Sequence, residues 1–221
     1  MPFFLDNNVL IGYIFETDNW NSKSLEVMGC NIPKISSDTV KSECSDIYQK
    51  NIGIIKKEIL KSIGEINKSK SLKVDDLQSF TKNFYSKDVI IGFINHNSGN
   101  DKSKIINGLR TLLRDTESRC LINFNTIDKL ITFYKRDKPY KDIYNIFEID
   151  GLARIDIVDV EIILDAHHIG LQIGELFFIT GDYLHIIPRR EIIKKNTSIK
   201  NVIGLGEFQA ENIRVPPEFF N

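Results

Sequence analysis

The hydrophobic pattern near both ends of the chain predicts buried strands that stop at an acidic residue. Phe3-Phe4-Leu5 leads into Asp6, and the apolar run 176–180 leads into Gly181-Asp182. Short apolar runs bounded by turn residues are typical of buried strands, and open α/β sheets place their ligand sites at the carboxyl ends of such strands. A lone acid there usually caps the next helix. Two matched acids with others between them favour a shared site.

The remaining pattern predicts mainly helices. Apolar residues three and four apart indicate a long amphipathic helix over residues 38–66, and residues 105–134 are predicted as one or two helices. Asp159 is predicted as the N-cap of a helix that ends near Gly170. Residues 87–93 fit either a helix or a strand. The other predicted elements are helices over 9–15, 20–28 and 77–84 and from 183, and strands over 32–36 and 198–205.

The charge distribution divides the chain into a basic middle and two acidic flanks. Residues 50–142 contain 19 Lys and Arg against 11 Asp and Glu, although the whole chain has a net charge of −1. We therefore expect a basic helical insertion over 51–142 within an acidic α/β domain made of 1–50 and 143–221. Neither a secretory signal nor a membrane span is predicted, so we expect a cytoplasmic protein with no membrane partner.

Four acids stand in motifs along the chain. Asp6 lies in FLDNNVLIG and Asp182 ends FFITGD, while Asp159 opens DVEIILDAHHIG and Glu43 lies early in the long helix. In this order they resemble the PIN-domain family of metal-dependent nucleases, with its hydrophobic-Asp-x-Asn-Val-Leu opening and its strand that ends in Thr-x-Asp. The resemblance covers the segments on either side of the predicted insertion.

The resemblance implies a PIN-like three-layer α/β/α fold with a central, mostly parallel sheet and a divalent-metal-dependent endonuclease, with RNA as the favoured substrate. The four acids would be the catalytic metal ligands, and Asn8 and Thr180 would orient ligands or the attacking water. Elementary chemistry agrees, because crowded carboxylates stay ionised together only when a cation neutralises them. Oxygen ligands select hard ions, here Mg²⁺ or Mn²⁺.

Several assignments have rivals. No zinc-type pairing of histidine and cysteine is found, so His167, His168 and His185 are interpreted as surface or satisfied core residues. The rivals of the acids are Asp156, Glu161 and Asp165 for Asp159, and Asp38 and Asp46 for Glu43.

Two other functions remain to be weighed. The chain could be a catalytically degenerate PIN-fold module that binds RNA or assists assembly, because fold does not fix function. A haloacid-dehalogenase-like phosphatase is disfavoured, because that chemistry needs a second Asp two residues after the first, where this chain has Asn8. A homodimer and an antitoxin-like protein partner both stay open.

Overall fold

A five-stranded parallel sheet organises the protein. The computed structural model describes residues 1–69, 79–97, 99, 101–149 and 155–209. Within them the strands are ordered β3-β2-β1-β4-β5, and every pairing is parallel. The predicted α/β class with helices around a central parallel sheet is confirmed. The strands are β1 (Phe3–Leu5), β2 (Lys34–Ser37), β3 (Thr132–Tyr134), β4 (Leu176–Thr180) and β5 (Ile199–Gly204).

Helices account for most of the other described residues. The predicted helices over 9–15, 20–28 and 38–66 are present within a few residues of the expected bounds, and the ambiguous segment 87–93 is helical. The helix predicted over 77–84 lies partly outside the described residues. No helix among the described ranges is both long and apolar enough to cross a bilayer. The helices are α1 (Asn7–Ile14), α2 (Asn21–Gly29), α3 (Asp38–Lys68), α4 (Lys87–His96), α5 (Lys102–Leu130), α6 (Lys141–Ile149), α7 (Ile157–Ile173) and α8 (Arg190–Asn196).

The prediction of helix over residues 105–134 was wrong at its end. Helix α5 stops at Leu130, and the three residues of β3 pair with β2 in the register Ile35↔Thr132 to Ser37↔Tyr134. Thr, Phe and Tyr favour strands, but three residues are too few to show an alternating pattern. Because β3 belongs to the sheet, the predicted insertion 51–142 extended too far.

Contacts divide the chain into two compact units. The sheet unit comprises Met1–Ser45 and Asn125–Asn221, and the helical unit comprises Asp46–Phe124. The chain therefore passes from one unit to the other within α3 and returns within α5. The helical unit has its own packing, which includes a stack of Tyr48 on Phe124 with ring centroids 4.4 Å apart.

Strand order gives the sheet unit one point of the kind at which open α/β sheets bind ligands. From β1 the chain builds the sheet outward on one side through β2 and β3. It then crosses over to place β4 and β5 on the other side of β1, so the order of strands across the sheet changes direction between β1 and β4, although all strands stay parallel. Parallel sheets bind ligands at the carboxyl ends of the strands where this reversal occurs. Leu5 and Ile179 are partners in the register of β1 and β4. The residues that follow them, Asp6 and Thr180, therefore meet at that point.

Candidate active site

Asp6 lies at the end of β1 and is 1% exposed. Its Oδ1 accepts a hydrogen bond from the backbone N–H of Asn7 (2.7 Å), and its Oδ2 accepts from the side chains of Asn8 (3.1 Å) and Thr180 (2.6 Å). Burial raises the pKa of Asp6, the three hydrogen bonds act in the opposite direction, and the charge of Asp182 raises it further. Asp6 is also the N-cap of α1. The capping interpretation of Asp6 is confirmed, and the same carboxylate lies close enough to Asp182 to be affected by its charge.

Thr180 connects the ends of the two central strands. Its hydroxyl donates to Asp6 Oδ2 and accepts from the backbone N–H of Asp182, 2.9 Å away. The carboxylate of Asp182 then organises the next turn, because its Oδ1 accepts from the N–H groups of Leu184 and His185, each at 2.8 Å. One side-chain hydroxyl thus sets the spacing between two of the predicted site acids.

The third acid enters from the first turn of α7. Asp156, and not Asp159, is the N-cap: its Oδ1 accepts from Val158 N–H at 3.0 Å. Asp159 is the third residue of the helix, within its first turn, and its side chain is 21% exposed. The predicted N-cap was therefore wrong, because the helix starts three residues earlier than expected, and Asp159 lies close enough to the other acids to interact with them.

The acids act on one another electrostatically. Burial, followed by the charge of Asp6, raises the pKa of Asp159 to about 7, with smaller contributions from other acids. Burial alone raises the pKa of a carboxyl group, and like charges nearby raise it further. The carboxylates are supplied by residues distant in the sequence, and we call them the acidic cluster: Asp6, Glu43, Asp156, Asp159 and Asp182.

Glu43 reaches this cluster from α3. Burial raises its pKa, and the charges of Asp6 and Asp156 add to the effect, while a hydrogen bond with the Asn7 side chain opposes it. Its Oε2 is buried and has no hydrogen-bond partner among the described residues. The rivals Asp38 and Asp46 are exposed.

The other rivals of Asp159 are engaged elsewhere. Asp165 Oδ1 accepts from Arg136 Nε at 2.7 Å, and the same guanidinium pairs with Glu161. Asp165 lies six residues after Asp159, about 240° around the helix at 100° per residue, so the two carboxylates point in different directions. Asp156 does belong to the cluster, as a fifth acid.

Two histidines are satisfied core residues, as interpreted from the sequence. His167 Nδ1 accepts from Ser198 N–H at 2.9 Å, and His168 lies between Tyr140 and Gln172, with its ring nitrogens 2.8 and 2.9 Å from their polar atoms.

His185, by contrast, belongs to the site. Its Nδ1 lies 3.2 Å from Asp182 Oδ2 and 3.8 Å from Asp159 Oδ2. One ligand atom from each of these three residues lies within 4.8 Å of the others. Its position three residues after Asp182, in a tight turn, is the only sequence signal for this role.

A cleft adjoins the acidic cluster and was not predicted. It has a volume of about 750 Å³. The rings of Trp20 and Tyr183 stack beside it, with centroids 5.5 Å apart and planes 19° from parallel. The Tyr183 hydroxyl accepts from Gly206 N–H at 2.8 Å, which fixes the ring. The lining residues are Asn8, Trp20, Gly181, Asp182, Tyr183, Leu184, His185, Gly206 and Glu207.

The residues of the cluster fit a divalent cation. Its carboxylate oxygens suit Mg²⁺, and together with the imidazole nitrogen of the adjacent His185 they suit Mn²⁺. The unpartnered, buried Oε2 of Glu43 and the raised pKa of Asp159 are both costs that a nearby cation would remove.

Comparison with known proteins adds no relative: no family model, no curated protein and no solved structure matches the chain.

Proposed function

We propose that this protein is a divalent-metal-dependent endonuclease that hydrolyses phosphodiester bonds with a metal-activated water, with RNA as the expected substrate. The observation that carries the proposal is the meeting of Asp6, Glu43, Asp159 and Asp182, from four separate elements, at the point where the strand order reverses. Stability alone gives no reason to gather like charges there, because their mutual repulsion raises the free energy of the folded state.

Three side chains would hold the ion most directly: Asp159, Asp182 and His185, with Glu43 and Asp6 completing the negative environment. When bound, Mg²⁺ or Mn²⁺ would activate a water and neutralise charge on the phosphodiester. No covalent nucleophile on the protein is required.

The surrounding residues would keep the acids in place. The hydrogen bonds from Thr180 and Asn8 fix both the position and the orientation of Asp6. The turn N–H groups hold one oxygen of Asp182, so its other oxygen stays directed toward His185. In this proposal Asn8 and Thr180 are positioning residues, and the acids are the catalytic ones.

The proposal is tested with Asp6→Asn and Asp182→Asn, assayed for cleavage of single-stranded RNA in Mn²⁺. Asn keeps the shape of Asp but removes the charge, so we expect cleavage to be lost while RNA binding survives. Asp46→Asn, an exposed acid on α3 outside the cluster, is the matched control and should cut normally. Wild-type cleavage rates in both site variants would refute the proposal.

One observation favours the second candidate, a catalytically degenerate module that binds RNA. Asp6 accepts three hydrogen bonds and Asp182 accepts two from turn amides, so both acids also have structural roles. Calorimetric titration with Mn²⁺ separates the candidates. A nuclease should show specific uptake that Asp159→Asn weakens, whereas a degenerate module should show none.

A further inference from the structure

The cleft beside the acidic cluster is continuous with it. Asn8, Asp182 and His185 line the cleft and also belong to the acidic cluster or contact it. A molecule that places a phosphate at the acidic end would therefore extend its next group over the rings of Trp20 and Tyr183.

Part of the cleft lining is flat and apolar. Tyr183 is 37% exposed and Leu184 is 79% exposed, and both line the cleft. Gly181 permits this arrangement, because a Cβ there would lie 2.8 Å from Trp20 Nε1. The backbone after β4 thus leaves room for the aromatic ring.

The charges of the residues that line the cleft decide which part of a nucleotide it can bind. The described lining contains two acids, Asp182 and Glu207, and no lysine or arginine. Glu207 is paired with Arg190 at 2.9 Å. A bare phosphate gains nothing in such a place, whereas an uncharged base can stack on an aromatic ring.

We propose that the cleft is a base-stacking subsite that selects single-stranded nucleic acid, with an unpaired base next to the scissile phosphate packed against Trp20 and Tyr183. The inference rests on the proposed function. A base inside a duplex is already paired and stacked on both faces, so it reaches the rings only after leaving the helix, at a cost in free energy. Single strands carry no such cost.

Trp20 is the only tryptophan in the chain, so its fluorescence reports directly on the subsite. The measurement uses the Asp159→Asn variant in Mn²⁺, because a variant without cleavage activity leaves the RNA intact. The protein is titrated with a short single-stranded RNA of mixed sequence and, separately, with the same RNA as a duplex. We expect the single strand to quench Trp20 emission and to bind more tightly than the duplex.

The ring variants sharpen the test. Tyr183→Leu in the same background should weaken single-strand binding about fivefold to a hundredfold, the usual effect of losing one stacking ring. Tyr183→Phe keeps the ring but loses the hydrogen bond from Gly206 N–H, so its affinity should lie much closer to that of the parent than the affinity of Tyr183→Leu does. Thermal unfolding of each variant shows that it is folded, and Leu171→Ala, an exposed apolar residue at the end of α7, is the surface control.

Equal affinity for single strand and duplex, or unchanged binding by a folded Tyr183→Leu protein, would overturn the subsite. This result is distinct from failure of the proposed function. A wild-type chain that binds single strands through these rings but never cuts them would refute the nuclease and keep the subsite. A chain that cuts RNA with the same KM before and after Tyr183→Leu would keep the nuclease and refute the subsite.

Discussion

Asp159 shows how the fold sets the properties of a single residue. On an exposed first turn of a helix, the positive end of the helix dipole would stabilise an aspartate in its ionised form. Here burial and the charges of neighbouring acids raise its pKa from 3.8 to about 7. The surroundings of Asp159 therefore disfavour its ionised form. Shifted pKa values of this kind are common at functional sites.

This pKa shift predicts how stability depends on pH in the absence of metal. Between pH 3.8 and about 7 the folded chain keeps a proton on Asp159 that the unfolded chain has released. The free energy of unfolding should therefore fall as pH rises through this window, by at most about 1.4 kcal/mol per pH unit for this group, and this contribution should level off above it. Urea unfolding in EDTA at several pH values measures the slope.

Asp159→Asn should flatten that slope, while Asp46→Asn, outside the cluster, should leave it unchanged. Saturating Mn²⁺ should also reduce the loss of stability in the wild-type chain, because a bound cation favours the ionised carboxylates. A slope that is the same in the wild-type and Asp159→Asn proteins would show that the pKa of Asp159 is not raised in the folded chain.

Thr180 allows a second prediction at the scale of one residue. Thr180→Val keeps the shape of the side chain but removes the hydroxyl that bonds Asp6 Oδ2 and Asp182 N–H. A buried acceptor and a donor each lose a partner, so we expect a loss of about 1–3 kcal/mol in the free energy of unfolding. Denaturant unfolding measures it. Thr180→Ser, which keeps the hydroxyl, should recover most of the loss, and failure to recover it would assign the effect to packing.

At the scale of elements, the sequence predicts what depends on local pattern. The strands that end at Asp6 and Asp182 were predicted because an apolar run followed by turn residues is a local signal. The start of α7 was misplaced because Asp156 and Asp159 are both residues that can cap a helix, and the helix begins after the first of them.

The features that the sequence did not reveal arise from tertiary structure. Strand β3 has only three residues and is recognised by its pairing with β2. His185 joins Asp159 because a turn after β4 meets the start of α7. The aromatic cleft depends on a stack between Trp20 and Tyr183, which are 163 positions apart in the chain. None of these leaves a periodic pattern in the sequence.

The contact between α1 and α2 gives a prediction for these elements. Gly12 lies where a Cβ would clash with the Ser24 side chain and contact the Trp20 carbonyl carbon at 3.2 Å. Gly12→Ala should therefore lower the free energy of unfolding by about 1–3 kcal/mol. Combining it with Ser24→Gly should restore part of the loss, since the nearest obstacle is gone. Denaturant unfolding of the single and double variants gives the free energies to compare. If the losses caused by Gly12→Ala and Ser24→Gly simply add, the Cβ at position 12 does not clash with the Ser24 side chain.

At the scale of the whole molecule, charge is divided between the two units. The helical unit contains 14 Lys and Arg against nine Asp and Glu, although the chain as a whole is slightly acidic. Lys50, Lys57 and Lys61 are exposed on α3 and lie within about 40° of one another around the helix, at 100° per residue. Such a row is suited to contacts with a phosphate backbone, which an acidic sheet unit does not favour by itself.

If the chain binds RNA as proposed, this division of charge predicts how the affinity depends on salt. Each lysine that neutralises a phosphate of a single strand contributes about 0.7 to the slope of log affinity against log salt concentration. Replacing Lys50, Lys57 and Lys61 by Gln should therefore reduce the slope by about 2, measured by fluorescence titration at several salt concentrations.

The matched control neutralises three lysines that are each paired with an acid three positions away, namely Lys68, Lys104 and Lys194. Because the two triple variants have the same net charge, a general field effect would change both slopes equally. A change confined to the α3 variant would identify that row as the contact with the backbone, and equal changes would refute it.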